Sequence, residues 1–427
     1  MRRYFLATFA SLHNRNFRLF FSGQTLSMVG TWTQKITQAW LVLELTDSGT
    51  LLGVTLAVQA VPTLLFSAWG GLLADRLNKR RILLCTQAAS ILPSAILGVL
   101  TATGNVSLWI VFVMAGVIGT VEALDKPARQ TILAEIVGRE HLTNALTLNN
   151  ITVNAGKLIG PAIAGVLITG VGMAASFFVN AASFGAVLLA LAFVRADQLE
   201  PPVPAARSKG QVREGLKYVR TNPRLAGPLI LLTVTGLLAW EWTVTLPLLA
   251  RDVFHGDAQT VSSMFIAMGS GAIFGVLAIA GALRATTRRL IAASLAFSAL
   301  LVFAAIAPVL QVTLVLLFLL GCAGVAYRVI TTSLVQLEAA PSMRGRTMSL
   351  FIIAVGGTSP VSAPLLGWLC ETVGVRSTLA IGGMGSAIVA LLVMGYMSGH
   401  DAKQVTGAQE IHDLGDKDDA PSRSASG

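Results

Sequence analysis

The chain has 427 residues, of which 54% are hydrophobic and 12% charged, with a formal net charge of +10. Soluble domains carry about 25% charged residues, so this composition excludes a water-soluble enzyme or binding module and indicates an all-α membrane protein. Positive charge in such a chain reports loop topology first, and no nucleic-acid partner is expected.

In chain order, Met1 to Phe21 lacks the short apolar core and small-residue cleavage site of a signal peptide, so the first span is expected to direct insertion. Twelve apolar segments follow, at residues 17–44, 51–73, 82–103, 107–126, 144–169, 173–194, 225–249, 259–283, 290–308, 311–332, 347–370 and 376–398. Each is of a length that crosses a hydrocarbon core of ~30 Å at ~1.5 Å per residue. One set of alternate loops, with both ends of the chain, holds 26 of the 31 Lys and Arg; the opposite loops hold only Arg251 and Arg376. That asymmetry predicts both termini in the cytoplasm. Lys35, Lys157 and Arg328 remain, inside spans.

Between the second and third segments, Gly71 to Arg81 packs one acid and four bases into a tight turn that belongs in water on the cytoplasmic side. Asp75 can cap or pair there, and Asn78 is the side chain that best tolerates a left-handed conformation after glycine. The fourth segment ends in Glu122, Asp125, Lys126 and Arg129. In the fifth, Gly156, Gly160 and Gly165 make a smooth face for close packing beside Pro161, which bends the helix. The Pro-rich stretch after residue 194 reads as a linker, continued by a surface helix over Gln211 to Arg220 that suits the anionic inner leaflet of lipid. The expected organisation is thus a bundle over 1–194, a cytoplasmic linker over 195–224, a second bundle over 225–398 and a disordered tail over 399–427.

The halves echo one another. At an offset of 202 residues Asn144 to Leu148 falls on Arg346 to Leu350, and at 206 Asn16 to Leu19 falls on Asn222 to Leu225. Duplication of a six-helix unit is expected, as two pseudo-symmetric bundles. Under these offsets Lys35 matches Glu241, Lys126 matches Arg328, and Asp125 matches Tyr327. Charged groups inside spans are costly unless paired or hydrated, so Lys35 and Glu241 are expected to face a central cavity and to pair in one state. Burial in a polar cleft can bring a carboxylate's proton affinity towards neutrality. Glu122 is the first candidate proton carrier, with Glu241 and Asp125 behind it. Gln24, Trp32, Gln34, Gln38, Trp240 and Tyr327 complete the candidate cavity lining, suited to an amphipathic ligand.

The string Gly71-x-x-x-Asp75-Arg76-x-Asn78-x-Arg80-Arg81 resembles the loop signature of the major facilitator superfamily, with Asn78 where glycine is usual. Gly156 to Gly165 is similar to that superfamily's antiporter signature, with Ala164 replacing one glycine. The runs Asn14 to Ser48, Asp125 to Val137 and Arg344 to Leu350 resemble its bacterial drug:proton antiporter branch, which includes macrolide and siderophore exporters. The resemblance implies a monomeric carrier in the inner membrane that alternates between inward-open and outward-open states and exports small amphipathic molecules in exchange for protons. It also implies a cytoplasmic gate drawn from Gly71, Asp75, Arg76, Asn78, Arg80, Arg81, Arg129 and Arg328.

Other classes lose on what is missing. No GxxxxGK[ST] phosphate loop supports an ATP-driven pump, and all five histidines fall in loops or tails, away from any embedded active site. Cys85, Cys322 and Cys370 are too dispersed for a metal site, and no cofactor is expected. A facilitator of sugars or organic acids is the second reading, and a non-transporting receptor or scaffold the third.

Overall fold

A computed structural model of the protein describes residues 10–199, 211–279 and 285–418. Its first six long helices are α1 (Arg15–Thr46), α2 (Gly49–Arg76), α3 (Lys79–Ala102), α4 (Leu108–Gly138), α5 (Glu140–Gly170) and α6 (Met173–Ala192). Local chemistry sets their ends. Asn14 and Ser48 accept hydrogen bonds from backbone N–H groups of the first turns of α1 and α2, and Asp47 closes α1 in the left-handed region at φ 57°. Gly138, at φ 69°, separates α4 from α5 in a conformation that side chains rarely adopt. Asn78 departs from expectation: it is extended, at φ −65° and ψ 111°, and its side chain caps α3 by accepting from Arg81 N–H. A cap there explains an asparagine better than left-handed tolerance does.

The remaining helices are α7 (Gln211–Thr221), α8 (Pro223–Ala239), α9 (Trp242–Leu248), α10 (Ala258–Ile279), α11 (Thr287–Ile306), α12 (Leu310–Glu338), α13 (Arg344–Gly356), α14 (Ser359–Val373) and α15 (Val375–Asp418). Two segments read as continuous spans are broken. The chain leaves helical geometry at Trp240 and Glu241 between α8 and α9, whereas at Gly357 and Thr358 between α13 and α14 the backbone stays in the right-handed helical region and only the regular helix is interrupted. The last helix continues to Asp418, where the sequence predicts a disordered tail from residue 399. Residues 200–210, within the linker, and residues 280–284 lie outside the described residues.

Among the described residues, eleven helices are long and apolar enough to cross a membrane, counting the broken pairs Pro223–Val253 and Arg344–Val373 as one each. The expected twelve is not reached because α1 is absent from that set. It is long enough at 32 residues, but Gln24, Gln34, Lys35 and Gln38 dilute its apolar run.

Helices α1–α6 pack among themselves: α1 on α5 and α6, α3 on α6, and α2 on α4. The second set repeats this pattern, with α8 on α15, α11 on α15, and α10 on α12. The sets meet through α2 with α14, α5 with α10, and α9 with α1 and α2, towards the end that carries Asp47. There one buried apolar cluster draws on both, joining Val42 and Leu52 to Leu248, Ala363 and Cys370. Towards the basic loops the core divides. Phe17, Ile132 and Leu191 belong to one cluster, and Leu225, Leu334 and Val393 to another, with no shared member.

Candidate functional site

Between the divided cores lies a polar cleft. On the first set of helices it holds a cavity of about 90 Å³, with Gln34, Lys35 and Gln38 from α1, Gln59 from α2, Gln87 from α3 and Glu122 from α4 among its walls. The acids here are already engaged. Glu122 accepts from Lys126 Nζ at 2.6 Å and from Gln59 Nε2 at 3.3 Å. Asp125, 6% exposed, accepts from Thr86 Oγ1 at 2.9 Å and Gln87 Nε2 at 2.8 Å, and pairs with Arg129 at 2.9 Å. These four side chains follow one turn apart on α4, so each acid meets its base across an i,i+4 step.

Across the cleft, Glu241 sits in the break between α8 and α9. Its Oε1 accepts from the Ser359 hydroxyl, which opens α14 after the second break, and from Ser362 Oγ at 3.1 Å. The two interrupted helices therefore meet at one carboxylate. Non-helical backbone at such depth is tolerated where it lines a cavity or is covered by protein. Lys35 and Glu241 form no ion pair in this state among the described residues; Lys35 Nζ lies over the Trp32 ring, 5.1 Å from its centroid.

The indoles play a different part from the one expected. Lys157 Nζ stands 5.7 Å from the same Trp32 ring, and the Arg328 guanidinium 5.3 Å from that of Trp240. Trp240 also stacks on Phe297 at 5.3 Å, so protein groups occupy its faces. Tyr327 is fully buried within this stack, 5.8 Å from Trp240, and is a packing residue instead of a cavity wall. Gln24 is likewise buried, at 3% exposed, and Asn180 Nδ2 donates to Gln34 at 2.7 Å.

The small-residue face of α5 serves two partners. Gly156 and Gly160 lie against the α1 backbone at Met28 and Thr33, whose hydroxyl donates to Gly160 O at 3.1 Å, while Gly165 lies against Ser262 of α10. Pro161 sits between these contacts, within an unbroken α5.

The Gly71–Arg81 turn builds one corner of the basic end. Gly71 lies in the last turns of α2, with Asp75, Arg76 and Arg81 on the exposed surface. Arg80 Nε donates to Leu191 O at 2.8 Å and its Nη2 to Ala192 O at 3.0 Å, closing the carboxyl end of α6. Beside it Lys79 pairs with buried Glu135 at 2.8 Å, a pair that sequence reading missed because nothing in either helix pattern marks a contact between them. Arg129 pairs with Asp125 and Arg328 lies over the Trp240 ring, each with a partner in its own set of helices.

The other end is latched by residues that reading also missed. Arg251 pairs with Asp47 at 2.8 Å, and Glu371 accepts from Thr50 N–H at 3.1 Å and from the Ser48 and Thr50 hydroxyls. Acids and hydroxyls at loop ends are too common in sequence to signal such a latch.

Comparison with known proteins agrees with this architecture. The family described as transmembrane secretion effector matches residues 6–412. The Staphyloferrin A transporter of Staphylococcus aureus is 31% identical over 265 residues, 61% of this chain and 65% of that protein, just short of two thirds of its length. The multidrug efflux pump Tap of Mycolicibacterium fortuitum is 25% identical over 350 residues, 79% of this chain and 85% of that one. Among solved structures, a bacterial homolog of the human lysosomal transporter Spinster, inward-facing and occupied, superposes with a TM-score of 0.70 at 14% identity, covering 90% of this chain and 96% of that one. At that identity the likeness carries the fold alone.

Proposed function

The chain belongs to the transmembrane secretion effector family of the major facilitator superfamily and is a multi-pass membrane transporter, not an enzyme; on that premise we propose that it exports small amphipathic molecules by alternating access, driven by protons. The observation that carries this reading is the division of the core: one shared cluster at the latched end, two separate clusters around the open cleft. Two rigid bundles joined at one end can rock to open the other. The relatives' names, a siderophore transporter and a multidrug efflux pump, support outward transport of such molecules. The protein then acts as a monomer in the bacterial inner membrane with both termini in the cytoplasm. The open end, which carries the basic loops, is cytoplasmic, and the polar α1 is a twelfth span that faces the cleft instead of lipid.

Glu241 fits the proton carrier better than Glu122. A hydroxyl can donate to a carboxylate or accept from a carboxylic acid, so Ser359 and Ser362 serve both states of Glu241. The ammonium of Lys126 can only donate, and its positive charge favours Glu122 in the ionised form. Protonation of Glu241 would remove the negative charge that attracts Lys35, and release of the proton would make the carboxylate a partner for Lys35 in another state.

Inverted membrane vesicles test both statements. Export predicts accumulation of a transported dye that collapses with the proton gradient; accumulation indifferent to the gradient counts for a facilitator. In Glu241→Gln, gradient-driven accumulation should fall at least about tenfold while downhill exchange continues. Intact coupling in that variant would return the role to Glu122.

A further inference from the structure

Three cations stand in span interiors without a carboxylate partner among the described residues: Lys35 on α1, Lys157 on α5 and Arg328 on α12. They come from both sets of helices and converge. Lys35 and Lys157 share the Trp32 indole, and the charges that bear on Lys157 are those of Arg328 and Lys35. All three are half-buried, so each retains contact with water in the cleft.

What holds them matters. An ion pair would cancel each charge. An aromatic face restrains a cation while leaving its charge and its N–H donors available to a third group. The acids of the cleft do not make up the difference: Glu122 and Asp125 are paired with Lys126 and Arg129, which leaves Glu241, held by Ser359 and Ser362, as the one cleft carboxylate without a matched cation among the described residues. Five cations therefore stand against three carboxylates, an excess of two. Charges left uncompensated at such depth are costly, and a ligand that supplied the missing counter-charge would recover that cost on binding.

We infer that Lys35, Lys157 and Arg328 form an anion-binding site at the centre of the cleft, and that its ligand is an amphipathic molecule with two or more negative charges. This rests on reading the cleft as the substrate path, and it names the substrate class. Lys157, inside the small-residue face of α5, acquires a role that helix packing alone does not give it. The indoles serve as holders for cations and not as stacking platforms for the ligand.

The test is equilibrium binding to the purified full chain in detergent, using probes that share a naphthalene body: a dicarboxylate, a monocarboxylate, the neutral naphthol and the naphthylmethylammonium cation. Affinity should fall in that order, and dicarboxylate binding should weaken as salt rises. Lys35→Gln, Lys157→Gln and Arg328→Gln should each weaken dicarboxylate binding about 10- to 100-fold, the range for loss of a charge-assisted contact. Lys35→Arg, Lys157→Arg and Arg328→Lys should keep the preference, which covers the case of a Gln variant that does not fold. Equal affinities, a preference for the cation, no binding of any probe, or Gln variants with the preference intact would overturn the assignment. Binding at equilibrium reports nothing about direction, so a failure of export in vesicles is a separate result.

Discussion

The two ends of the molecule are held by different chemistry. Where Asp47 and Glu371 lie, three contacts cross between the two sets of helices: the Arg251–Asp47 pair, the Glu371 hydroxyl cluster, and α2 laid against α14 with Gly53 and Gly367 each facing a carbonyl of the other helix. Towards the basic loops the contacts described above lie within one set: Lys79 with Glu135, Asp125 with Arg129, Arg80 on the end of α6. The second kind keeps each bundle rigid whichever way the cleft faces. Under the proposed rocking the first kind comes apart and re-forms in each cycle, and small residues with exposed ion pairs suit that because each contributes little.

Breaking a contact of the second kind should cost most. Asp125 is buried with Thr86, Gln87 and Arg129 on its oxygens, so Asp125→Ala leaves an uncompensated cation and two orphaned donors. A loss of about 3–5 kcal/mol is expected, read as a markedly lower thermal midpoint. A stability near that of the unaltered protein would mean that the network is dispensable.

A smaller change should act on the seam without harming either bundle. A methyl group at Gly53 would collide with the Ala363 carbonyl, and overpacking of this kind costs about 1–3 kcal/mol. Charged to the latched state alone, that shifts the balance about 5- to 150-fold towards the opposite opening. In a cysteine-free background, a thiol at Ser262→Cys, 3% exposed beside Gly165, should become reactive to a bulky reagent once Gly53→Ala is added. Gly345→Ala, with nothing within 4 Å, should leave it protected. Equal protection in all three would place the moving seam elsewhere.

The sequence carried the parts of this comparison that rest on patterning. Apolar runs and the charge bias of alternate loops located the helices, and the Gly71–Arg81 turn and the α5 glycines located close backbone contacts. It did not carry the first helix break, because Trp240-Glu241 interrupts its helix through a tertiary meeting and without a local breaker; the second, at Gly357-Thr358, was hinted at by Gly356, Gly357 and Pro360. Asn78 was legible as a turn residue but not as a cap, since both roles favour the same side chain. Tyr327 was placed in the cavity by its repeat offset, which fixes depth along a helix but not the face it presents. The spread of Lys35, Lys157 and Arg328 over three helices likewise shows nothing in one dimension of their convergence.

The smallest effect should come from Lys126, whose ammonium is half in solvent while it pairs with Glu122 one turn away. An i,i+4 pair of this exposure contributes about 0.3–0.5 kcal/mol, so the thermal midpoint of Lys126→Gln should hardly move. Its effect on the cleft should nevertheless be measurable. Glu122 loses its own cation, its charge then acts on Lys35, and the excess of positive charge falls by one. Dicarboxylate affinity should drop a few-fold, less than for Lys35→Gln, while neutral naphthol binding stays the same. A midpoint lowered as far as that of Asp125→Ala would instead make the Glu122–Lys126 pair part of the bundle's framework, and the separation between rigid bundle and adjustable cleft would then have to be drawn deeper in α4.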